Sequence, residues 1–451
     1  MPSAGSGILP GACGGGFWRR AFFWNRRVDY SEADSATRRL GVLAIEGGEK
    51  VRKTPFPPRR LFGEEEKQAA VALFDRAIET GGVFGYGGPE EQAYEQEFAV
   101  FLGGGYADLV NSGTASVYTA LGALQLDAGS EVVAPPITDP GGVMPVALLG
   151  CIPMVADAHP GSYNMGPDEL QAVLTPHTRA IIVAHIAGEP ADMDPILEIA
   201  RSRNLPVIED CAQAHGARYK GRPVGTMGDL GAFSTMSGKH HATGAQGGVV
   251  FTKDEDLYWR AKRFSDRGKP FNTDSPTNVV AGLNLNGSDL AAAIGRVQLR
   301  RLPDMLVRRR RVVNAIHEGL AGMVAVSAAW EPKGAESVYW FLRIRAHVDR
   351  IKVDKNTFAK AVAAEGIPVN ATYRHIPSEA KWFRERNVFG KSGYPWTCDL
   401  YKGDRNATFP CPNAAEAAET HFNISVHENY GEQEVRDILE ALRKVEKAYL
   451  K

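Results

Sequence analysis

The sequence has few cysteines, and none is spaced like a metal ligand or part of a disulfide framework. Its 451 residues include five cysteines, at positions 13, 151, 211, 398 and 411, with no Cys-x-x-Cys pair. This argues against a disulfide scaffold or a zinc ribbon and fits a reducing compartment, so we expect a cytoplasmic protein. There is no His-Glu-x-x-His motif either, and we therefore expect no metal.

The chain also lacks a large net charge and a long apolar run. Its 52 basic and 53 acidic residues leave a net charge of −1, so no overall field favours nucleic acid or an anionic membrane as a partner. No uninterrupted apolar run approaches the roughly 18 residues that a membrane-spanning helix needs. We expect neither a nucleic-acid partner nor a membrane span.

Residues 1–42 differ in composition and are predicted to be a disordered extension. Residues 1–16 are rich in Gly, Ser, Ala and Pro, and an aromatic and basic segment, 17–27, follows. Arginines interrupt that segment, so it lacks the continuous apolar core of a signal peptide. A membrane-touching or partner-binding arm is the alternative, but chain termini are seldom tied down.

The central part of the chain alternates short apolar strands with helices. Segments 131–134 and 180–184 are two such strands, and helical patterns lie around them. Strands that are apolar throughout are buried on both faces, so the pattern predicts an α/β fold with a mostly parallel sheet and helices on both faces. We expect residues 43–330 to form this large domain and 331–451 a smaller C-terminal α/β domain, because the pattern changes after Pro332.

Segment 205–251 carries the strongest indication of function. A predicted strand ends at Asp210, and Lys239 follows among small residues. A lysine can form a Schiff base with pyridoxal 5'-phosphate, and an acid at a strand end can keep the ring nitrogen protonated, so that the ring becomes an electron sink. Gln213 could hydrogen-bond the ring oxygen, and His215 is a candidate substrate contact. The alternative is a structural role, because most lysines lie on the surface and an acid in a loop often forms a salt bridge. The position of Asp210 at the end of a strand favours a ligand site.

A second segment, around Gly113 and Thr114, joins a predicted strand to a predicted helix. The start of a helix offers free backbone N–H groups and can hold a phosphate. Gly113 allows close approach, and Thr114 adds a hydroxyl. Ser and Thr also cap helices where no ligand binds, so the motif alone leaves both interpretations open.

Taken in this order, these segments resemble the DegT/DnrJ/StrS sugar aminotransferases, which are pyridoxal phosphate enzymes of fold type I. The resemblance runs from about Leu43 to the C-terminus. It is carried by segments 111–114, 191–194 and 208–217 and by the spacing of Asp210 and Lys239.

The resemblance implies a role for each matching residue. Lys239 would carry the cofactor, Asp210 would pair with the pyridine nitrogen, and Gln213 would pair with the ring hydroxyl. The phosphate would be held by Gly113, Thr114 and Ser234. Asn284 would reach the phosphate of the neighbouring subunit, and this implies a homodimer.

The chain departs from the family at several positions. Asp139 stands where the family usually places an aromatic residue over the cofactor ring. Asn286 replaces an arginine, which removes a group suited to binding a diphosphate. The glycine loop at 244–248 is one residue longer than usual. Asp139, Tyr373 and His375 are candidate substrate contacts.

The resemblance implies a pyridoxal phosphate-dependent aminotransferase with ping-pong kinetics. It would move an amino group from glutamate or glutamine to a keto sugar or a cyclitol-like ketone. One alternative is another pyridoxal phosphate reaction on a sugar, such as elimination or deamination. The other is a non-catalytic binding or regulatory protein with this fold. Residue types alone do not separate a nucleotide-linked sugar from a free cyclic ketone.

Overall fold

The computed structural model of the protein describes residues 42–451, so the predicted extension lies outside the described residues except for Val42. Within that range no helix combines the length and the apolar character needed to cross a bilayer. The α-helices of this range are α1 (Glu64–Thr80), α2 (Pro89–Phe101), α3 (Gly113–Ala123), α4 (Met144–Leu148), α5 (Pro167–Val173), α6 (Met193–Ser202), α7 (Glu255–Ser265), α8 (Asp289–Gly319), α9 (Lys355–Ala364), α10 (Lys381–Arg384), α11 (Pro412–Thr420) and α12 (Glu432–Tyr449). Its strands are β1 (Tyr106–Val110), β2 (Glu131–Ala134), β3 (Ile152–Val155), β4 (Thr178–Ala184), β5 (Val207–Asp210), β6 (Arg218–Tyr219), β7 (Arg222–Pro223), β8 (Leu230–Ser234), β9 (Gly248–Thr252), β10 (Val326–Ala328), β11 (Ala335–Glu336), β12 (Leu342–Ala346), β13 (Val369–Asn370) and β14 (His421–Ile424).

The larger sheet of the described chain has seven strands in the order β1-β9-β8-β5-β4-β2-β3. β9 runs antiparallel to its neighbours β1 and β8, and the other four pairings are parallel. The predicted mostly parallel sheet is therefore confirmed.

Both faces of this sheet are covered, as the apolar strands predicted. In β4, Ile181 and Val183 pack into one core, and Ala180 and Ile182 pack into the core on the opposite face. Successive strand side chains point to opposite faces, so a strand buried on both sides needs an apolar residue at every position. Each fully buried aliphatic side chain contributes about 1.5–3 kcal/mol of transfer free energy.

A second, antiparallel sheet has the order β10-β12-β14-β13. Helices α9 and α12 share its hydrophobic core, which also takes in Leu43 and the C-terminal part of α8. The smaller α/β unit predicted for the C-terminal part is confirmed as a fold feature. The domain boundary between residues 330 and 331 stays a prediction.

One predicted strand begins later than expected, and the difference matters for the site. The β-branched and aromatic residues from Val338 onward predict a strand at 338–346, but β12 starts at Leu342. The preceding backbone pairs elsewhere, since Val338 N donates to Gly188 O at 2.9 Å and Trp340 N donates to Ala187 O at 2.7 Å. These bonds hold Trp340 against the loop that follows β4.

The carboxyl ends of several strands meet at one edge of the seven-stranded sheet. Val110 pairs with Gly248, and Gly248 pairs with Ser234. Farther along the same sheet, Ala184 pairs with Asp210. In open α/β sheets, ligands bind in the crevice beyond the carboxyl ends of the strands. This edge is therefore where a functional site is expected.

Candidate active site

Asp210 and Lys239 are both buried at this edge, each with 7% of its surface exposed. Burial raises the pKa of Asp210, although the Ala212 amide, which donates to Oδ1 at 3.0 Å, and the charge of Lys239 both oppose the rise. Burial lowers the pKa of Lys239, and the charges of Asp210 and Asp139 oppose that shift. Within residues 42–451 the Lys239 amine makes no hydrogen bond or ion pair. A buried amine with a lowered pKa and no polar partner is suited to attack a carbonyl carbon.

Trp340 faces the Lys239 amine, a contact that no sequence motif predicted. The Lys239 Nζ atom lies 4.0 Å from the centroid of the indole ring. The indole Nε1–H donates to Gly238 O at 2.9 Å, so the ring is anchored to the residue next to the lysine. The ring therefore provides a cation–π surface for the protonated amine.

The backbone of Lys239 is held from the other side by Arg59. The Arg59 guanidinium donates to the carbonyl oxygens of Lys239 and His240, and its Nε donates to Glu428 at 2.9 Å. Glu428 also accepts from Arg309 of α8, at 2.6 Å. This chain of buried contacts fixes the turn that carries the lysine.

Gln213 links the sheet edge to the C-terminal part of the chain. Its Oε1 accepts from Ala187 N at 2.8 Å, and its Nε2 donates to the Tyr373 hydroxyl at 2.9 Å. Burial raises the pKa of Tyr373 to about 12, so the hydroxyl stays protonated. The His375 ring lies 4.7 Å from the Tyr373 ring, and His375 O accepts from Thr138 N at 3.0 Å. The structure thus brings these candidates to one wall of the site.

The start of α3 lies directly against Ser234. The Ser112 hydroxyl caps the helix by accepting from Ala115 N at 3.0 Å, and the other N–H groups of the first turn have no intrahelical partner. A Cβ at Gly113 would lie 2.5 Å from the Ser234 Cβ, so only glycine allows this approach. Ser234, Gly113 and the exposed Thr114 therefore form one polar corner.

The loop after β2 lies between that corner and Asp210. Gly141 lies beside the Thr114 hydroxyl, and a Cβ at Gly142 would lie 2.9 Å from Asp210 Oδ2. Asp139 is exposed at the start of this loop, and its Oδ1 accepts from Gly141 N at 3.0 Å.

An open cleft of about 230 Å³ lies on the far side of this loop. We name it the outer cleft. Its wall includes Thr138, Arg374, His375, Glu379 and Trp382. Gly142 lies against both Thr138 of the cleft wall and Asp210, so the loop separates the outer cleft from the Asp210 carboxylate.

Asn284 stands apart from this group, whereas His215 lies near enough to Lys239 for that charge to help lower its pKa. His215 is buried with its ring 5.4 Å from the Phe233 ring and 4.9 Å from the His241 ring, and burial holds its pKa well below the ordinary value. Its position is that of an uncharged core histidine behind β8. Asn284 is exposed, pairs through its backbone with Asp266 and accepts from the Asn286 amide at 2.7 Å. Within the described chain it has no contact with Lys239 or Ser234.

One group of potential metal ligands is present at the edge, namely His185, Glu209 and Cys211. The His185 Nδ1 accepts from Ala191 N at 3.0 Å, so its Nε2 carries the proton donated to Glu209 at 3.0 Å. Glu209 also accepts from the backbone N–H groups of residues 225, 227 and 228. These bonds engage the lone pairs that a metal would need, so the cluster is a structural anchor for the end of β5.

Residues 64–443 match the DegT/DnrJ/EryC1/StrS aminotransferase family. The chain belongs to this family. It is 30% identical over 416 residues to the putative L-glutamine:3-amino-2,3-dideoxy-scyllo-inosose aminotransferase of Streptoalloteichus tenebrarius, covering 89% of this chain and 97% of that relative. It is 35% identical over 284 residues to the GDP-perosamine synthase of Escherichia coli O157:H7, covering 63% of this chain and 75% of that relative.

Solved structures agree with this assignment. The X-ray structure of the aminotransferase from Psychrobacter cryohalolentis aligns with a TM-score of 0.74 at 29% identity, covering 86% of this chain and 98% of that one. The predicted family membership is confirmed, and the protein is a pyridoxal phosphate-dependent aminotransferase. Its site fits this cofactor in three respects. The buried Lys239 amine has no hydrogen bond or ion pair within residues 42–451, and the Asp210 carboxylate stands at a strand end. Helix α3 starts at Gly113, where a Cβ would clash with Ser234.

Proposed function

We propose that this aminotransferase moves an amino group from glutamate or glutamine to a keto sugar or a cyclitol ketone. The observation that carries the proposal is that the buried Lys239 amine, which has no hydrogen bond or ion pair within residues 42–451, lies at the same edge of the sheet as the buried Asp210 carboxylate. The family relatives named for glutamine-dependent cyclitol amination and for a GDP-linked amino sugar support the donor and acceptor classes.

Each site residue has a proposed task. Pyridoxal phosphate, when bound, supplies an electron sink for the substrate carbanion. Lys239 would hold the cofactor covalently and, once released by the donor amine, move a proton between the substrate carbon and the cofactor. Asp210 would keep a proton on the pyridine nitrogen, and the second amide N–H of Gln213 would bind the ring hydroxyl oxygen. The phosphate would be held by Gly113, Thr114 and Ser234.

Asn284 has a different proposed task because it lies away from Lys239 in its own chain. We propose that the protein is a homodimer in which Asn284 of one subunit contacts the cofactor phosphate of the other. Its exposure on the surface supports this arrangement. We also propose that the enzyme works in the cytoplasm, and this is supported by the free thiols of the cysteines in residues 42–451.

The test is to follow the nitrogen. Holoenzyme is incubated with glutamine or glutamate carrying ¹⁵N at the α-amino group and with a keto-sugar or cyclitol ketone acceptor. The proposal expects ¹⁵N in an aminated product and parallel-line, ping-pong kinetics. A new product without ¹⁵N would favour elimination or deamination instead, and a protein that binds no cofactor would favour a non-catalytic role.

A further inference from the structure

We propose that a buried ion pair, Arg343 with Glu189, positions the side chain of Gln213, the residue assigned above to the cofactor's ring hydroxyl. The proposal rests on the function and on the role of Gln213 given in the preceding subsection. Within residues 42–451 neither member of the pair makes a hydrogen bond or an ion pair with Lys239 or Asp210, so Arg343 and Glu189 are positioning residues.

The pair joins the small antiparallel sheet to the loop that follows β4. Arg343 lies on β12, and Glu189 directly follows the short 3-10 turn Ile186–Gly188 after β4. Both Nε and Nη2 of Arg343 donate to Glu189 Oε2, the former at 2.7 Å. The two side chains are 0% and 4% exposed. Because a buried guanidinium needs a compensating charge, the pair fixes where the turn meets the small sheet.

One set of contacts links Glu189 to the carbonyl end of the Gln213 amide. Ala187 N donates to Gln213 Oε1 at 2.8 Å. Ala187 has a φ of 64°, in the left-handed region that residues other than glycine rarely adopt, so its surroundings must hold it there. Asn164 Nδ2 donates to Glu189 O at 2.8 Å, and Arg343 holds the Glu189 side chain. The end of the turn is therefore held through both its backbone and its side chain.

A second set of contacts links Arg343 to the nitrogen end of the same amide. The Arg343 Cζ atom lies 4.7 Å from the centroid of the Tyr163 ring. That ring stacks on Tyr373 with centroids 5.9 Å apart, and the Tyr373 hydroxyl accepts from Gln213 Nε2 at 2.9 Å. Both ends of the Gln213 amide are thus connected to one ion pair, and the contacts form a closed series.

The charges around the pair are few. Burial raises the pKa of Glu189 to about 7, the charge of Arg343 opposes this rise, and the Glu331 carboxylate adds to it. Glu331 itself accepts from the Ser337 hydroxyl. The His421 ring lies 6.0 Å from the Tyr163 ring, and burial holds its pKa well below the ordinary value. At pH 8 the pair is therefore ionised, and His421 is neutral.

The experiment measures the pH midpoint of the visible absorbance of the lysine-bound cofactor in holoenzyme. Hydrogen bonding to the charged form of a group favours that form, so donation from Gln213 favours the ionised ring hydroxyl. Without this donor the ring oxygen holds a proton more strongly, and the midpoint rises. Gln213→Leu should raise the midpoint by about 1 pH unit, and Glu189→Gln should raise it by about 0.5 pH unit.

A double-mutant cycle shows whether Glu189 acts through Gln213. Glu189→Gln made in the Gln213→Leu protein should add no further shift, because the residue that it positions is gone. Glu416→Gln is the matched control, since Glu416 pairs with Arg345 two residues along β12, and it should leave the midpoint unchanged. An equal shift from Glu189→Gln in both backgrounds, or an equal shift from Glu416→Gln, would overturn the proposal.

Variants of Tyr163 keep the test possible if Glu189→Gln does not fold. The Tyr163 hydroxyl is buried and makes no hydrogen bond within the described chain, so Tyr163 acts through its ring. Tyr163→Leu should raise the absorbance midpoint as Glu189→Gln does, and Tyr163→Phe, which restores the ring, should return it to the wild-type value. A midpoint that stays unchanged in Tyr163→Leu would contradict the second set of contacts.

The single variants separate this proposal from the role on which it rests. If Gln213→Leu leaves the midpoint unchanged, the role of Gln213 fails and the positioning proposal falls with it. If Gln213→Leu shifts the midpoint and Glu189→Gln only lowers the urea concentration of unfolding, the role of Gln213 stands. The ion pair would then stabilise the fold alone, and the positioning proposal would be wrong.

Discussion

The indole of Trp340 sets the environment of the Lys239 amine at the scale of single residues. Its ring centroid is 4.0 Å from Nζ, and a desolvated cation–π contact favours the protonated amine. Burial acts in the opposite direction and lowers the pKa of Lys239. The two effects oppose each other at the buried amine, and the proposed role of Lys239 in taking up and returning a proton requires an amine that can exist in both forms.

Replacing Trp340 by Leu should lower the pKa of Lys239 further, because the cation–π contact is lost. The neutral amine is the form that captures the cofactor, so the rate of pyridoxal phosphate capture by apo-protein should reach its midpoint at lower pH, by about 0.5–1 pH unit. Trp340→Phe should shift the midpoint less. Trp330→Leu is the control, since Trp330 stacks on His159. An unshifted midpoint in Trp340→Leu would show that the indole only packs.

Replacing Asp210 by Asn keeps the shape of the side chain and removes its charge. We expect kcat to fall on the order of 100-fold or more, because a fixed charge that stabilises the reacting state is lost. Cofactor absorbance should remain visible, and steady-state kinetics measure the loss. Asp254→Asn, a change to the helix cap that accepts from Leu257 N, is the control. Full activity in Asp210→Asn would contradict the assigned role.

The sequence predicted the candidate residues that share a local motif. It did not predict the residues that contact the site from distant positions in the chain. Asp210 at a strand end and Lys239 among small residues were visible in one segment. Trp340 and Arg59 were not, because they contact the lysine turn across separations of 102 and 180 residues, and no local pattern marks such contacts. His215 lies next to the motif in sequence, yet its ring turns into the core.

At the scale of elements, the ion-pair cluster of Arg309, Glu428 and the partly exposed Arg59 joins the N-terminal segment, α8 and the loop before α12. Arg309 and Glu428 have side-chain exposures of 2% and 3%. Burial alone would raise the pKa of Glu428, but Arg309 and Arg59 outweigh it and lower the pKa to about 2. Arg59 of this cluster also donates hydrogen bonds to the carbonyl oxygens of Lys239 and His240. The cluster therefore holds the backbone of the lysine turn in place.

Glu428 should make the free energy of unfolding depend on pH in the acidic range. Its folded pKa of about 2 is below the ordinary 4.5, so its contribution is fully present above about pH 4.5 and is lost as the pH falls toward 2. Glu428→Gln should therefore destabilise the protein more at pH 6 than at pH 3, as measured by urea unfolding.

The control for that measurement is Glu432→Gln, because Glu432 is an exposed partner of Arg436. Equal destabilisation by Glu428→Gln at both pH values would show that the ion pairs do not set this stability.

Elements were more predictable than their exact ends. Strand β2 has the predicted limits, because a short apolar run marks it. β12 was predicted to start four residues early because Val338–Phe341 has a strand-like composition. Its hydrogen bonds go to the loop after β4 instead, and periodicity cannot indicate which partner an extended segment chooses.

At the scale of the whole molecule, the proposed exchange of Asn284 between subunits can be tested by complementation. Lys239→Ala and Asn284→Ala subunits are co-expressed and the whole mixture of dimers is assayed. If Asn284 acts on the partner subunit, each mixed dimer has one native site of its two. Because half of a random mixture is mixed dimers, the activity of the mixture should recover to about one quarter of wild type.

The matched control is co-expression of Lys239→Ala with Asp210→Asn. Both residues belong to the same chain's site, so every site in the mixture keeps one defect and no recovery is expected. Equal behaviour of the two mixtures would place Asn284 in its own subunit's site or outside the site altogether.

The most direct test of the central claim is the visible absorbance of purified protein before and after adding glutamine or glutamate, recorded beside Lys239→Ala. Wild-type protein should show the band of a lysine-bound cofactor, and the band should disappear with donor. Lys239→Ala should lack that band at any pyridoxal phosphate concentration. A wild-type protein that stays colourless with added cofactor, or a donor-sensitive band that survives in Lys239→Ala, would contradict the account.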